Sequence, residues 1–174
     1  MAKKGLMVHP DKCTGCHRCD LWCSLTKDGV CNPARARIHV MRREPDLDTP
    51  ITCTQCGVCL SACPYDAIKR SIKTGAVFVE DKSCKKCGIC VMACPTGMLT
   101  YAPGSKIPSK CDLCGGDPEC VKHCREGALT CEEPGLLARS RQEDYARALA
   151  HVASAGSPTN LHLEFLGGKA GGDD

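Results

Sequence analysis

The chain is short of the residues that build a large core. Its 174 residues include one Trp, two Phe and three Tyr, against 17 Gly and 11 Pro. So thin an apolar complement calls for some other staple. No stretch approaches the roughly 18 consecutive apolar residues that would span a bilayer. The opening "MAKKGLMVHPDKC" has two adjacent lysines but no apolar signal segment behind them. Arg42-Arg43 is internal and no hydrophobic run follows it, so it does not read as a twin-arginine signal. Also missing are a Gly-rich nucleotide loop, a nucleophile motif and the length for a pterin-binding domain. The expectation is a cytoplasmic chain with no catalytic site of its own.

What the chain has instead is cysteine. There are 18, about a tenth of the residues, a level that marks a disulfide scaffold or a metalloprotein. In a cytoplasmic chain metal ligation is the better reading. Sixteen fall into four runs: Cys13, Cys16, Cys19, Cys23; Cys53, Cys56, Cys59, Cys63; Cys84, Cys87, Cys90, Cys94; and Cys111, Cys114, Cys120, Cys124. Cys31 and Cys131 are left over and read as spare thiols. The surroundings repeat as well. "VHPDKC" before the first run parallels "VEDKSC" before the third, and "PYDAIK", "PTGMLT" and "REGALT" follow the fourth cysteine of three runs. Because the last run keeps these flanks, its wider spacing reads as a three-residue insertion between the second and third ligands, held in a "GGDPE" loop.

Three cysteines at i, i+3 and i+6 on a tight loop can aim their sulfurs at three corners of one cube. The fourth lies too far along, entering a short helix, and in bacterial ferredoxin runs it ligates the other cluster. Runs therefore work in pairs, and sixteen thiolates match four [4Fe-4S] clusters. Structural zinc favours two separated Cys-x2-Cys pairs instead. Spacing alone allows neighbouring runs to pair, first with second and third with fourth, as readily as a nested arrangement.

Runs two and three, "CTQCGVCLSACP" and "CKKCGICVMACP", resemble the two-cluster bacterial ferredoxin signature. The span from Val8 to about Cys131 resembles two such units combined, as in the four-cluster electron-transfer subunits of molybdenum and tungsten oxidoreductases. The opening "CTGCHRCDLWCS" with "NPARARIHV", and the insertion in run four, are similar to the small subunit of tungsten aldehyde oxidoreductase complexes. The small subunit of ATP-independent benzoyl-CoA reductase is a near match. Two departures stand out: Ser24 and Arg125 follow the last cysteine where the signature has proline.

The resemblance implies an α+β fold of two ferredoxin-like units, each with ββ hairpins and short helices, loop-rich, ending in a helix and an extended tail. It implies nesting. Residues 48–106 form an inner unit inserted into an outer one made of 1–47 and 107–134, with 135–174 as helix and docking tail. It also implies four ligand sets: Cys13, Cys16, Cys19 with Cys124; Cys53, Cys56, Cys59 with Cys94; Cys84, Cys87, Cys90 with Cys63; and Cys111, Cys114, Cys120 with Cys23. The implied function is electron transfer between a tungsto- or molybdopterin subunit, oxidising an aldehyde to an acid, and a flavin (FAD) subunit or ferredoxin. The alternatives are a free-standing polyferredoxin shuttle and a subunit of a benzoyl-CoA reductase-type complex.

The rest of the chain is read from pattern. "AIKRSI" and "AVFVE", joined through Lys73-Thr74-Gly75, predict a hairpin. "RIHVM" predicts another strand, and short helices are expected after each fourth cysteine. Ser140 with Glu143 makes a capping box for a helix whose face carries Tyr145, Ala148, Leu149 and Val152, ended by Gly156 and Pro158. "NLHLEFL" alternates like an edge strand, and "GGKAGGDD" is expected to be disordered. The formal charge of +3 treats the cysteines as neutral. With sixteen thiolates and four oxidised cores the loaded chain carries roughly −5. That excludes nucleic acid as an expected partner, and the Lys and Arg residues read as a solvated face.

Overall fold

The computed structural model describes residues 4–43 and 47–133, together with 135, 138, 139, 142, 143, 145, 146, 149 and 150. The chain divides into two compact units, Met1–Pro134 and Gly135–Asp174.

The first unit is α+β and rich in loops. Strand β1 (Gly5–Val8) pairs antiparallel with β8 (Leu129–Glu132), Val8 opposite Leu129. Strand β4 (Ile68–Arg70) pairs with β5 (Val77–Val79), Ile68 opposite Val79; this is the hairpin that the 68–79 alternation predicts. The two pairs are equivalent. In each, the strand leaving one run returns against the strand that enters another. The amide of His9 donates to Ala128 O at 2.8 Å, and that of Glu80 to Ala67 O at 2.7 Å. Two further antiparallel pairs link consecutive runs. They are β2 (His39–Arg43) with β3 (Leu47–Ile51), and β6 (Thr100–Tyr101) with β7 (Pro108–Ser109). The "RIHVM" strand is β2.

The helices are not where the sequence pattern puts them. They are α1 (Arg18–Asp28), α2 (Val58–Ala62), α3 (Ile89–Met92) and α4 (Glu119–Lys122). Each carries the third cysteine of its run and leads up to the fourth, or through it, instead of following it. Proline is one reason. Pro64 and Pro95 follow the fourth cysteine in runs two and three, and the residue before a proline is pushed out of the helical region; Cys63 is extended at φ −84°, ψ 110°. Run one has Ser24 there, so α1 continues for 11 residues until Gly29 caps it in the left-handed region. Ser24 is fully buried. Its hydroxyl donates to Leu21 O at 3.0 Å and accepts the Asn32 amide at 3.1 Å, which ties the loop after α1 to the helix.

Helix α1 packs on α4, and α2 on α3. Trp22 of α1 stacks on His123 at the end of α4, with centroids 3.6 Å apart and planes 4° from parallel. Two apolar cores lie under these pairs. One contains Leu6, Ile38, Leu113 and Leu129 with Cys19, Cys23 and Cys120. The other is smaller: Ile68, Val77 and Leu99 with Cys59 and Cys90. Cysteines thus make up a large share of both.

In the second unit every described residue from 135 to 150 is helical. Residues 135, 138 and 139 precede the start that the capping box predicts, and Glu143 is instead paired with Arg139, Oε1 to Nε 3.2 Å. Ser140, the 161–165 strand and the terminal segment lie outside the described residues. Among the described residues no helix is long and apolar enough to cross a membrane.

Candidate metal centres

All four cysteine loops use one backbone plan. The residue before the second cysteine is left-handed in every run: Gly15 (φ 66°), Gln55 (57°), Lys86 (62°) and Leu113 (58°). So is the residue after it: His17 (56°), Gly57 (91°), Gly88 (80°) and Gly115 (72°). Left-handed geometry costs a residue with a Cβ about 1–2 kcal/mol, so its recurrence in four loops marks a turn the site requires. A Cβ at Gly15 would meet only the movable carboxylate of Asp48. In run four the second cysteine, Cys114, is itself left-handed (φ 49°), and Gly116 is at φ 106°, so the insertion lengthens this turn. Its extra residues pass through Gly116 and Asp117 before Pro118 caps α4. The turn after the fourth cysteine also recurs, with Asp66, Gly97 and Gly127 all at positive φ.

The loops bring the cysteines together around four small cavities. Cys13, Cys16, Cys19 and Cys124 line one. Cys53, Cys56, Cys59 and Cys94 line another. Cys63, Cys84, Cys87 and Cys90 line a third, and Cys23, Cys111, Cys114 and Cys120 a fourth. In each cavity three cysteines come from one run and one from another. Cys31 is exposed, and Cys131 lies in β8, partly buried; neither lines any of the four.

Burial governs the thiols. It pushes Cys111 up to about 12, and it pushes Cys120 and Cys19 well above their ordinary range, with Asp20 adding to the effect at Cys19. Burial also raises Cys23, against the pull of the Arg37 amide and guanidinium; that amide donates to Cys23 Sγ at 3.2 Å. The Arg37 side chain is fixed by Asp28, Nη1 to Oδ2 2.8 Å and Nη2 to Oδ1 2.9 Å. Burial raises Cys59, with Lys110 pulling it back. Cys94 goes the other way. There burial is outweighed by the Thr96 hydroxyl and by the backbone amides of Thr96, Met98 and Leu99, which hold the thiol below its ordinary value.

Two buried charges went unread in the sequence. Asp20 is 2% exposed; its carboxylate accepts from Cys19 Sγ at 3.4 Å and from the Val40 amide at 3.4 Å, and lies 2.9 Å from His17 Nδ1. Lys110, 9% exposed, donates to Cys53 Sγ at 3.3 Å, Gln55 Oε1 at 3.2 Å, Val77 O at 2.8 Å and Cys111 O at 2.9 Å. The expectation of a solvated face therefore fails for Lys110. Its place directly before Cys111 was the only signal.

Among the described residues no three His, Cys, Asp or Glu side chains converge on a point that one ion could occupy. Four thiols around a cavity, and not around a point, are the donor set of an iron–sulfur cluster. The residues present fit that group.

The 4Fe-4S dicluster domain family matches residues 52–98. Over 123 residues the chain is 42% identical to the polyferredoxin-like subunit of an aliphatic sulfonate oxidoreductase from Pyrococcus furiosus, covering 70% of this chain and 71% of that protein. It is 32% identical over 125 residues to subunit beta of an NADH-dependent phenylglyoxylate dehydrogenase from Aromatoleum evansii, covering 69% of this chain but 28% of that one. Among solved structures, the active site complex BamBC of benzoyl coenzyme A reductase with 1,5-dienoyl-CoA aligns at 33% identity with a TM-score of 0.47, covering 76% of this chain and 77% of that one. The chain belongs to the ferredoxin-like family of 4Fe-4S polyferredoxin subunits, which carry electrons within oxidoreductases.

Proposed function

We propose that the chain holds four [4Fe-4S] clusters on the four cysteine sets and serves as the electron-transfer subunit of an oxidoreductase complex. The observation that carries this is the set of four small cavities, each lined by four cysteines drawn from two runs. When bound, such clusters take up and release single electrons. The chain's own part is to shield the sulfurs, aim amide donors at them and hold the sets in one compact unit. On this reading 48–106 carries the inner two sets, and 1–47 with 107–134 the outer two. The catalytic site lies on a partner subunit. The finer reading is a tungsto- or molybdopterin partner that oxidises an aldehyde, with a flavin subunit or ferredoxin at the other end. That the Pyrococcus relative is a subunit of a sulfonate oxidoreductase supports a catalytic partner over a free shuttle.

Anaerobically purified chain should contain about sixteen iron and sixteen sulfide, with little zinc. About eight iron, or stoichiometric zinc, overturns the four-cluster reading. The subunit role predicts that a large partner stays bound through size exclusion from the native source. A chain that elutes alone and fully loaded is the shuttle.

A further inference from the structure

Lys110 lies on the seam between two cysteine sets. It lines the cavity of Cys53, Cys56, Cys59 and Cys94, and its ammonium also reaches the carbonyl of Cys111, the first cysteine of another set. None of its four partners is a carboxylate. A buried charge is stable only when it is paired or densely hydrogen-bonded. Here three protons are shared among two carbonyls, one amide oxygen and one sulfur, and the sulfur is the partner able to carry full negative charge.

The surroundings hold the ammonium still. Gln55 sits in the left-handed turn of its loop, donates from Nε2 to Cys111 O at 3.0 Å, and accepts the Val77 amide at 2.9 Å as well as Lys110. Val77 is fully buried. The fixed cation therefore meets the Cys53 sulfur from the protein side, where solvent screens it little.

We propose that Lys110 is the internal counter-cation of the set Cys53, Cys56, Cys59 and Cys94, and that it makes the cluster bound there easier to reduce. Reduction adds one electron to the cluster and so one negative charge beside the ammonium. The cation and its hydrogen bond to Cys53 Sγ both favour the more negative state. Lys110 is a positioning residue acting through Cys53. The inference rests on the reading that this set holds a cluster.

The test is an EPR-monitored redox titration of the full-length, anaerobically purified chain. Four forms are compared: wild type, Lys110→Met, Lys110→Gln and Lys110→Arg. Met removes charge and donors, Gln keeps donors without charge, and Arg keeps the charge. Met and Gln should lower one reduction midpoint at least tenfold in its equilibrium, 59 mV for one electron, while the other three move less. Arg should recover most of the shift. Unchanged midpoints in a fully loaded Met or Gln form overturn the proposal. So does an Arg form as low as Gln, which would mean packing and not charge. Loss of about four iron from both Met and Gln forms would make Lys110 an assembly residue and also overturn it. Wild-type chain short of iron would instead sink the four-cluster reading on which this one rests.

Discussion

Cys19 Sγ lies 3.4 Å from a carboxylate oxygen of buried Asp20, whereas Cys53 Sγ lies 3.3 Å from the ammonium of buried Lys110. The two loops share the left-handed turns on either side of the second cysteine and a helix that carries the third. Fold repetition therefore places the cysteines, and single buried side chains supply the difference between sites. The halves also differ in depth. Burial raises five thiols of the outer sets, at Cys13, Cys19, Cys23, Cys111 and Cys120. In the inner sets it raises Cys59 and Cys90, while Cys94 is held down.

That asymmetry has its largest consequence in loading. A thiol must lose its proton to ligate iron, and each raised thiol weakens loading about tenfold per pH unit below its pKa. The sign is definite: loading tightens as pH rises, and at a given pH below about 9 the outer sets, with more raised thiols, are held back further. For the iron-free fold the raised thiols work in the opposite sense. Their contribution is present below the ordinary value of 9.0 and lost as pH climbs through the folded value, about 12 at Cys111. Reconstitution from about pH 7 to about 9 should fill the chain in two stages. Alkylation and peptide mapping of the cysteines still free after the first stage should find those of the outer sets. Simultaneous filling of all four would break the comparison.

The cores give a second contrast. Ile38 in the outer core and Leu99 in the inner are both 2% exposed, and truncating either to Ala should cost about 2–5 kcal/mol. The inner core has three buried aliphatic side chains, Ile68, Val77 and Leu99, besides its cysteines, with Leu60, Val79 and Val91 packed partly buried against it. It has less left after the loss. Leu99→Ala should release iron to a chelator faster than Ile38→Ala. The reverse order would show that the smaller core is the sturdier one.

Much of this was legible in the sequence, and what was not has a common cause. The sixteen cysteines, the 68–79 hairpin and the repeated segments after the fourth cysteine of three runs are local patterns, visible within a dozen residues. The nested grouping came from family resemblance, because spacing is blind to which distant run supplies a fourth sulfur. The helices were misplaced by half a motif: the apolar residues after the fourth cysteine of runs two and four, Ala67-Ile68 and Ala128-Leu129, lead into strands. Lys110 and Asp20 were missed because charge in a sequence carries no sign of burial. Only long-range contacts, Lys110 with Cys53 and Asp20 with the Val40 amide, remove these two groups from water.

The finest test of the comparison replaces Asp20 with Asn. The substitution keeps the shape and the oxygen that accepts the Val40 amide, but removes a negative charge beside Cys19. Reduction adds negative charge to the set Cys13, Cys16, Cys19 and Cys124, so Asp20→Asn should raise that set's midpoint, opposite in sign to Lys110→Met. Unit charges about 8 Å apart at an effective dielectric of about 20 interact by about 2 kcal/mol. The half-exposed His17 against Asp20 opens the pair to solvent screening, which should hold the observed shift below that. Because the two substitutions act on different sets, their shifts should add in the double variant. The same redox titration reads both. If Asp20→Asn lowers a midpoint, or moves the one that Lys110→Met moves, then buried charge does not set the two sites apart and the difference must come from their backbone donors.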